Sequence, residues 1–301
     1  IKRKKIQKFF NWKVMKIINY LLQYILIKLF FFICKIIGYK KASNLGDLIG
    51  KKVGPKFKSK KIIERNINLI LPDIKNERVD EIIQKMWGNY GRILSEYVFM
   101  KDFRNGNLKD YINIKGLEYL NEIKNKNIPV VFVSGHFNNF ELMAMQIEKN
   151  GIQLGAIYRP LNNFFLNSTM ENIRKNFICN KQIKKGLSGI REILNLFKKN
   201  TSIALMIDQR VTEGIKSNFF KQKAFTTTIP AQLVKKFGCP IISIYIERVN
   251  KHKFEMVINK PIYFSKDESL EYITQQLNYL LEKMILKKPE QWILTHNRWK
   301  L

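Results

Sequence analysis

From about residue 117 onward, short apolar β-rich runs alternate with stretches of helical spacing, and this alternation narrows the possible folds more than any other feature. Strands are expected at 129–134 (PVVFVS), 154–158 (LGAIY), 202–207 (SIALMI), 240–248 (PIISIYIER) and 254–259 (FEMVIN). Helices are expected at 117–126, 139–149, 163–178, 188–199, 229–237 and 269–286. Continuous apolar runs mark strands buried on both faces, and helices between them imply crossover connections. The expected architecture is α/β, a mixed central sheet covered by helices. Upstream, 60–70 and 78–100 carry helical spacing, and Pro72 separates them. The chain has 301 residues, 46% of them hydrophobic, which is enough for one sizeable domain and an appendage.

The appendage is amino-terminal. Residues 14–39 (VMKIINYLLQYILIKLFFFICKIIGY) are the most apolar stretch, and the basic run IKRKKIQK comes before them. The length suits a bilayer crossing. However, Lys28 and Lys35 fall inside it, where a central charge costs on the order of 3 kcal/mol. They are seven residues apart and share one helix face, so a tilted span with snorkelling lysines and an interfacial helix both remain open. No small-residue cleavage site follows, which argues against a signal peptide. The division expected is an anchor at 1–40 and a catalytic domain at 41–301. Both flanks are basic, so the positive-inside rule gives no orientation.

Lys and Arg number 54 against 24 Asp and Glu, a formal charge of +30. Such an excess calls for an anionic partner: nucleic acid, a membrane surface, or an acidic protein or substrate. A nucleic-acid stripe would gather basic residues among stacking aromatics, whereas these lysines are spread along the chain. Cys34, Cys179 and Cys239 form no Cys-x-x-Cys pair, so the sequence suggests neither a zinc site nor a disulfide framework. His252 and His296 lack the spacing of zinc ligands. Phosphate-binding glycine loops and a Gly-x-Ser-x-Gly elbow are absent from the sequence.

Sites in sheets of this class sit beyond the carboxyl ends of strands. After the first expected strand comes SGHFNNFEL (134–142), with His136 in a turn opened by Gly135 and Glu141 five residues on. On one continuous helix that spacing turns the two side chains about 140° apart. They meet only if His136 lies in the loop and Glu141 in the first helical turn. A carboxylate accepting one ring N–H would then leave the other nitrogen to take a proton from a hydroxyl. After the next strands come Arg159 and the run MIDQR, with Asp208, Gln209 and Arg210 at the same rim. The arginines suit a phosphate or carboxylate, and Asp208 could pair with Arg159 or Arg210.

With these residues in place, the chain resembles the late acyltransferases of lipid A biosynthesis, the lauroyl- and myristoyl-transferring group. It is also similar to the wider His-x4-Asp/Glu acyltransferases, whose fold is that of the glycerol-phosphate acyltransferases. The resemblance runs in order through ASNLGDLIG (42–50), ERNINLILP (64–72), SGHFNNFEL, IYRPLNN (157–163), Arg174, MIDQR, NFFKQKAFTTTIPAQL (218–233) and KPEQWILTHNRWK (288–300). His-x4-Glu alone is weak; the ordered set with its closing block is specific. It implies His136 as general base held by Glu141, and an acyl thioester donor, usually acyl carrier protein. The implied acceptor is a hydroxyl of a lipid A precursor, with no metal or organic cofactor. Arg159, Arg174, Asp208, Gln209 and Arg210 match blocks that line the family's substrate site. The implied location is the cytoplasmic membrane, with the catalytic domain facing the cytoplasm and no nucleic-acid partner. Two departures stand out. The family's Gly-Asn-Trp is Asn138-Asn139-Phe140 here, and its Phe-Phe-Gly is Phe219-Phe220-Lys221. The departures leave acceptor and acyl length open, including another glycolipid or aminolipid acceptor.

Overall fold

The computed structural model describes residues 2–300. It opens with a long helix, α1 (Lys2–Ile37), followed after Gly38 by α2 (Tyr39–Val53), α3 (Lys60–Ile70), α4 (Asn76–Glu96) and α5 (Met100–Asn105). The basic run at 1–8 begins outside the described residues, as do its side chains. Over Trp12–Ile37 the mean hydropathy is 2.0 and only 11% of the window is buried, so α1 is a candidate membrane anchor. Its outward residues are large and apolar, among them Met15, Leu26, Phe32 and Ile36. A contiguous apolar surface of that kind is unstable in water and suits a lipid phase.

Next come β1 (Ile112–Lys115), α6 (Leu117–Lys126), β2 (Val131–Ser134), α7 (Glu141–Lys149), β3 (Leu154–Tyr158), α8 (Phe164–Ile173), β4 (Lys181–Lys184), α9 (Leu187–Lys198) and β5 (Ser202–Met206). A hairpin of β6 (Ile215–Phe219) and β7 (Gln222–Thr226) follows, then α10 (Ile229–Phe237), β8 (Ile241–Val249), β9 (Lys253–Ile258) and α11 (Leu270–Lys287). Local chemistry sets several of these boundaries. Asn163 caps α8 by accepting from the backbone N–H of Phe165 and Leu166, and Ser269 caps α11 by accepting from that of Tyr272. Gly238, at φ 64°, ends α10 in the left-handed conformation that costs glycine least.

Seven strands form one sheet in the order β1-β9-β8-β2-β5-β3-β4, parallel except where β9 meets β8, so the sheet is mixed as expected. The β2-to-β3 and β4-to-β5 crossovers run in opposite directions across it. Right-handed crossovers therefore place α7 and α9 on opposite faces. On the α9 face, Phe197 meets Phe237 of α10 with ring centroids 4.9 Å apart. The central strands β2 and β5 are almost fully buried and form the middle of the core.

Helix α2 lies unusually close to α4. A Cβ on Gly91 would fall 1.8 Å from the carbonyl oxygen of Gly46, and one on Gly50 would fall 2.1 Å from that of Trp87. No L side chain fits there without separating the helices. Gly91→Ala is accordingly expected to destabilise the protein by about 1–3 kcal/mol or more, read as a lowered midpoint in thermal unfolding. An unchanged midpoint would show that the two helices are free to move apart.

Candidate active site

Sheet register builds the site. Ser134 at the end of β2 pairs with Met206 at the end of β5, and the Ile207 N–H extends the ladder to the Ser134 carbonyl at 2.9 Å. Two residues past each strand, His136 and Asp208 therefore stand side by side. The Asp208 carboxylate takes the His136 Nδ1 at 2.8 Å through Oδ1 and the His136 backbone N–H at 2.7 Å through Oδ2. Trp292, from the carboxyl-terminal segment, donates its indole N–H to Oδ2 at 2.9 Å. Phe140 lies edge-on to the imidazole, centroids 4.8 Å apart.

This geometry corrects the expected pairings. The hydrogen-bond partner of His136 is Asp208, and Glu141 is engaged elsewhere. His136 does lie in the loop and Glu141 does open α7, but the Glu141 carboxylate turns to Arg174 and Tyr97. It accepts from Arg174 Nε at 2.8 Å and Nη2 at 2.6 Å, and from the Tyr97 hydroxyl. Asp208 is likewise paired with neither arginine. Arg210 points away from the site to the Lys300 carbonyl, Thr212 and the Phe225 ring, so it does not join the rim residues. Arg174 lines the site while committed to Glu141, and Arg159 and Gln209 line it without a charged partner among the described residues.

The electrostatics follow from burial and these contacts. Asp208 is fully buried, which opposes its ionisation. The adjoining His136 charge, the hydrogen bonds from His136 and the Trp292 donor outweigh that, and its carboxyl is held below the ordinary range. Burial also pushes the His136 ring down. The Asp208 charge and hydrogen bond, helped by the nearby Glu141 charge, more than reverse this and raise it above the ordinary histidine value. An ionised carboxylate only accepts, so Nδ1 carries the proton. The neutral ring then keeps a free lone pair on Nε2. Tyr97 is buried beside Glu141 and pushed well above the ordinary phenol range, which keeps it a hydrogen-bond donor.

His136, Glu141 and Arg174 border a cavity of about 490 Å³, a size ordinary for ligand sites. Its walls are mainly apolar. Alternate residues of three neighbouring strands contribute Phe132, Ala156 and Ala204, while α7 contributes Ala144 and Ile147. Arg159 and Lys185 stand among the polar lining residues. Alanines at three of these positions leave width for an extended chain between the sheet and α7.

A buried polar network fixes the His136 loop from behind. Asn138 adopts φ 41°, a conformation asparagine tolerates better than most residues. Its side chain donates to Asn89 and Gln291, both at 2.8 Å, and accepts from Arg248 at 3.1 Å. Arg248 forks onto Glu96 at 2.7 and 2.9 Å, and Glu96 also receives Ser43 and Asn139. The sequence reading missed Tyr97, Glu96 and Arg248, which stand outside any short motif. Trp292 lies in the closing block that sequence reading had marked, though its contact with Asp208 had no sequence signal.

Comparison with known proteins agrees with the resemblance. A family model described as bacterial lipid A biosynthesis acyltransferase matches residues 8–301. The lipid A biosynthesis palmitoleoyltransferase of Escherichia coli (strain K12) is 23% identical over 85% of this chain and 84% of its own length. The lipid A biosynthesis lauroyltransferase of the same organism is 23% identical over 80% of this chain and 78% of its own. A lipid A biosynthesis acyltransferase of Haemophilus influenzae is 24% identical over 79% and 76%. With a family match running almost end to end over an α/β sheet that bears the ordered motifs, the chain belongs to the bacterial lipid A biosynthesis acyltransferases.

Proposed function

We propose that the protein transfers a fatty acyl chain from the thioester of acyl carrier protein to a hydroxyl of a lipid A precursor, with His136 as general base. The observation that carries this is the clamping of Nδ1–H by Asp208, which leaves Nε2 as the free basic nitrogen at an apolar cavity. His136 Nε2 takes the proton of the acceptor hydroxyl as its oxygen attacks the thioester carbonyl. The carbon–sulfur bond then breaks, and the imidazolium returns the proton to the leaving thiolate. The apolar cavity holds the acyl chain. Arg174 and Tyr97 fix Glu141, whose charge favours the imidazolium that forms. Arg159, with Gln209, faces the phosphate-bearing acceptor at the rim.

Residues 1–40 act as the anchor and 41–301 as the catalytic domain, on the cytoplasmic side of the inner membrane. The +30 charge suits an acidic carrier, a phosphorylated acceptor and an anionic surface. The test uses purified full-length protein with a tetra-acylated precursor and a panel of acyl carrier protein and coenzyme A thioesters. The expected product gains the mass of one acyl group, from the carrier-protein donor. No gain with any thioester would overturn the proposal, and transfer from coenzyme A alone would overturn the donor assignment.

A further inference from the structure

The anchor and α8 touch at one end and part at the other. Near Asn163 they are joined, its side-chain amide donating to the Tyr20 carbonyl at 2.8 Å and to Gln23 at 3.2 Å. Further along, a groove of about 680 Å³ opens between them. Lys28, Phe31, Phe32 and Lys35, one face of α1 by their helical spacing, form one wall. Ser168, Thr169, Asn172 and Ile173 of α8 form much of the other.

Two observations define what fits. The polar lining contains donors and no carboxylate. Neither lysine has an acidic partner among the described residues, and Lys28 has only the Tyr24 ring at 6.0 Å. The Asn172 side-chain oxygen accepts from Asn176 at 2.8 Å, so what this lining residue still offers is an amide donor. Two ammonium groups, two hydroxyls and an amide suit a phosphate, and two uncompensated lysines on an apolar helix are costly without one. Beside the groove, α1 exposes Leu29, Phe32 and Ile36, which suit hydrocarbon. The groove shares no lining residue with the His136 cavity. It also opens on a side of α8 other than that presenting Glu171 to Tyr158.

We propose that this groove is a binding site for the phosphate head group of an anionic membrane phospholipid, which fastens the anchor helix to α8. The separation from the cavity favours a resident bilayer lipid over the acceptor. The site goes beyond acyl transfer, and its occupancy is independent of the chemistry at His136.

Native mass spectrometry of the full chain in nonionic detergent tests it, with phosphatidylglycerol, phosphatidylcholine, inorganic phosphate and the phosphorylated disaccharide precursor as probes. Wild type is expected to retain one phosphatidylglycerol in preference to phosphatidylcholine, and the His136→Gln variant should retain it equally. The Lys28→Gln/Lys35→Gln double variant should bind about tenfold more weakly or worse, while Lys28→Arg/Lys35→Arg restores binding. Lys40→Gln/Lys41→Gln, which removes two exposed charges outside the groove, should leave it unchanged. Equal retention of phosphatidylcholine, or equal loss in the control pair, would overturn the site. Displacement of phosphatidylglycerol by inorganic phosphate or by the disaccharide at equal concentration would overturn the lipid assignment.

Discussion

Exchange of His136 for glutamine is expected to lower kcat by about 10³–10⁴-fold, with Asp208→Asn costing about 10²–10⁴-fold, in protein that still folds. Glutamine can fill much of the imidazole's space but cannot take a proton at neutral pH. Asparagine at 208 keeps the shape and loses the charge, so the ring is no longer held with its proton on Nδ1. Asp208 has two further hydrogen-bond partners, the His136 backbone N–H at 2.7 Å and Trp292 at 2.9 Å. Those contacts need only an acceptor oxygen, which asparagine retains. The loss in Asp208→Asn therefore belongs to the electrostatics of the ring more than to the loop. The measurement is single-turnover transfer by each variant, beside circular dichroism and thermal unfolding of the same samples. Wild-type rates in either variant would remove His136 or its partner from the mechanism.

The largest effect on stability is expected at Glu96→Ala. Glu96 is wholly buried and holds Arg248 through both carboxylate oxygens, at 2.7 and 2.9 Å. Removing one partner of a buried pair strands the other charge, at a cost of about 3–5 kcal/mol. The same change frees Ser43 of α2 and Asn139 of the His136 loop, both hydrogen-bonded to Glu96. A double variant, Glu96→Leu with Arg248→Met, removes both charges and is expected to recover most of the lost stability. It should not recover activity, because Arg248 also holds Asn138 at 3.1 Å and through it the backbone beside His136. Chemical denaturation and transfer rates on the three proteins separate the two roles. Activity returning together with stability would show that the network supports the fold alone.

How much of this could be read from the sequence depended on how far apart the deciding residues lay. The central strands were legible because burial on both faces writes them as apolar runs; β2, β3, β5 and β8 lie where those runs do, and β9 lies where the apolar residues alternate. The edges were not. β4 reads KQIK with an exposed residue at either end, and β1 reads INIK, since edge strands carry charge where central ones carry isoleucine. The β6–β7 hairpin was missed for a related reason. Its turn places Phe220 and Lys221 at φ 51° and 61°, without the glycine or asparagine that signals such turns.

Asn138 and Lys221, one in each of the two segments that depart from the resembled family motifs, lie at φ 41° and 61°, a conformation that non-glycine residues adopt at greater cost. Phe140, in the first of these segments, places an aromatic edge against His136.

The position of His136, in a loop after a buried strand, was legible as a motif, but its hydrogen-bond partner was not. A five-residue spacing draws attention to Glu141, whereas the contact that forms spans 72 residues and is set by the pairing of β2 with β5. The buried pair of Glu96 and Arg248 spans 152 residues and has no local signature. Arg210 failed as a rim residue because its guanidinium is taken by the chain's own carboxyl-terminal segment.

The dependence of kcat/KM on pH tests the central claim most directly. His136 must be neutral to accept a proton, and its pKa is raised by Asp208 above the ordinary value of about 6.5. Activity is therefore expected to fall about tenfold per pH unit on the acid side of a midpoint above that value, and to level off above it. In Asp208→Asn, with the raising charge gone and burial left to act, the residual activity should show its midpoint at lower pH. A wild-type profile that stays flat from about pH 5 to about pH 8, or a midpoint that Asp208→Asn leaves in place, would contradict a base held by Asp208.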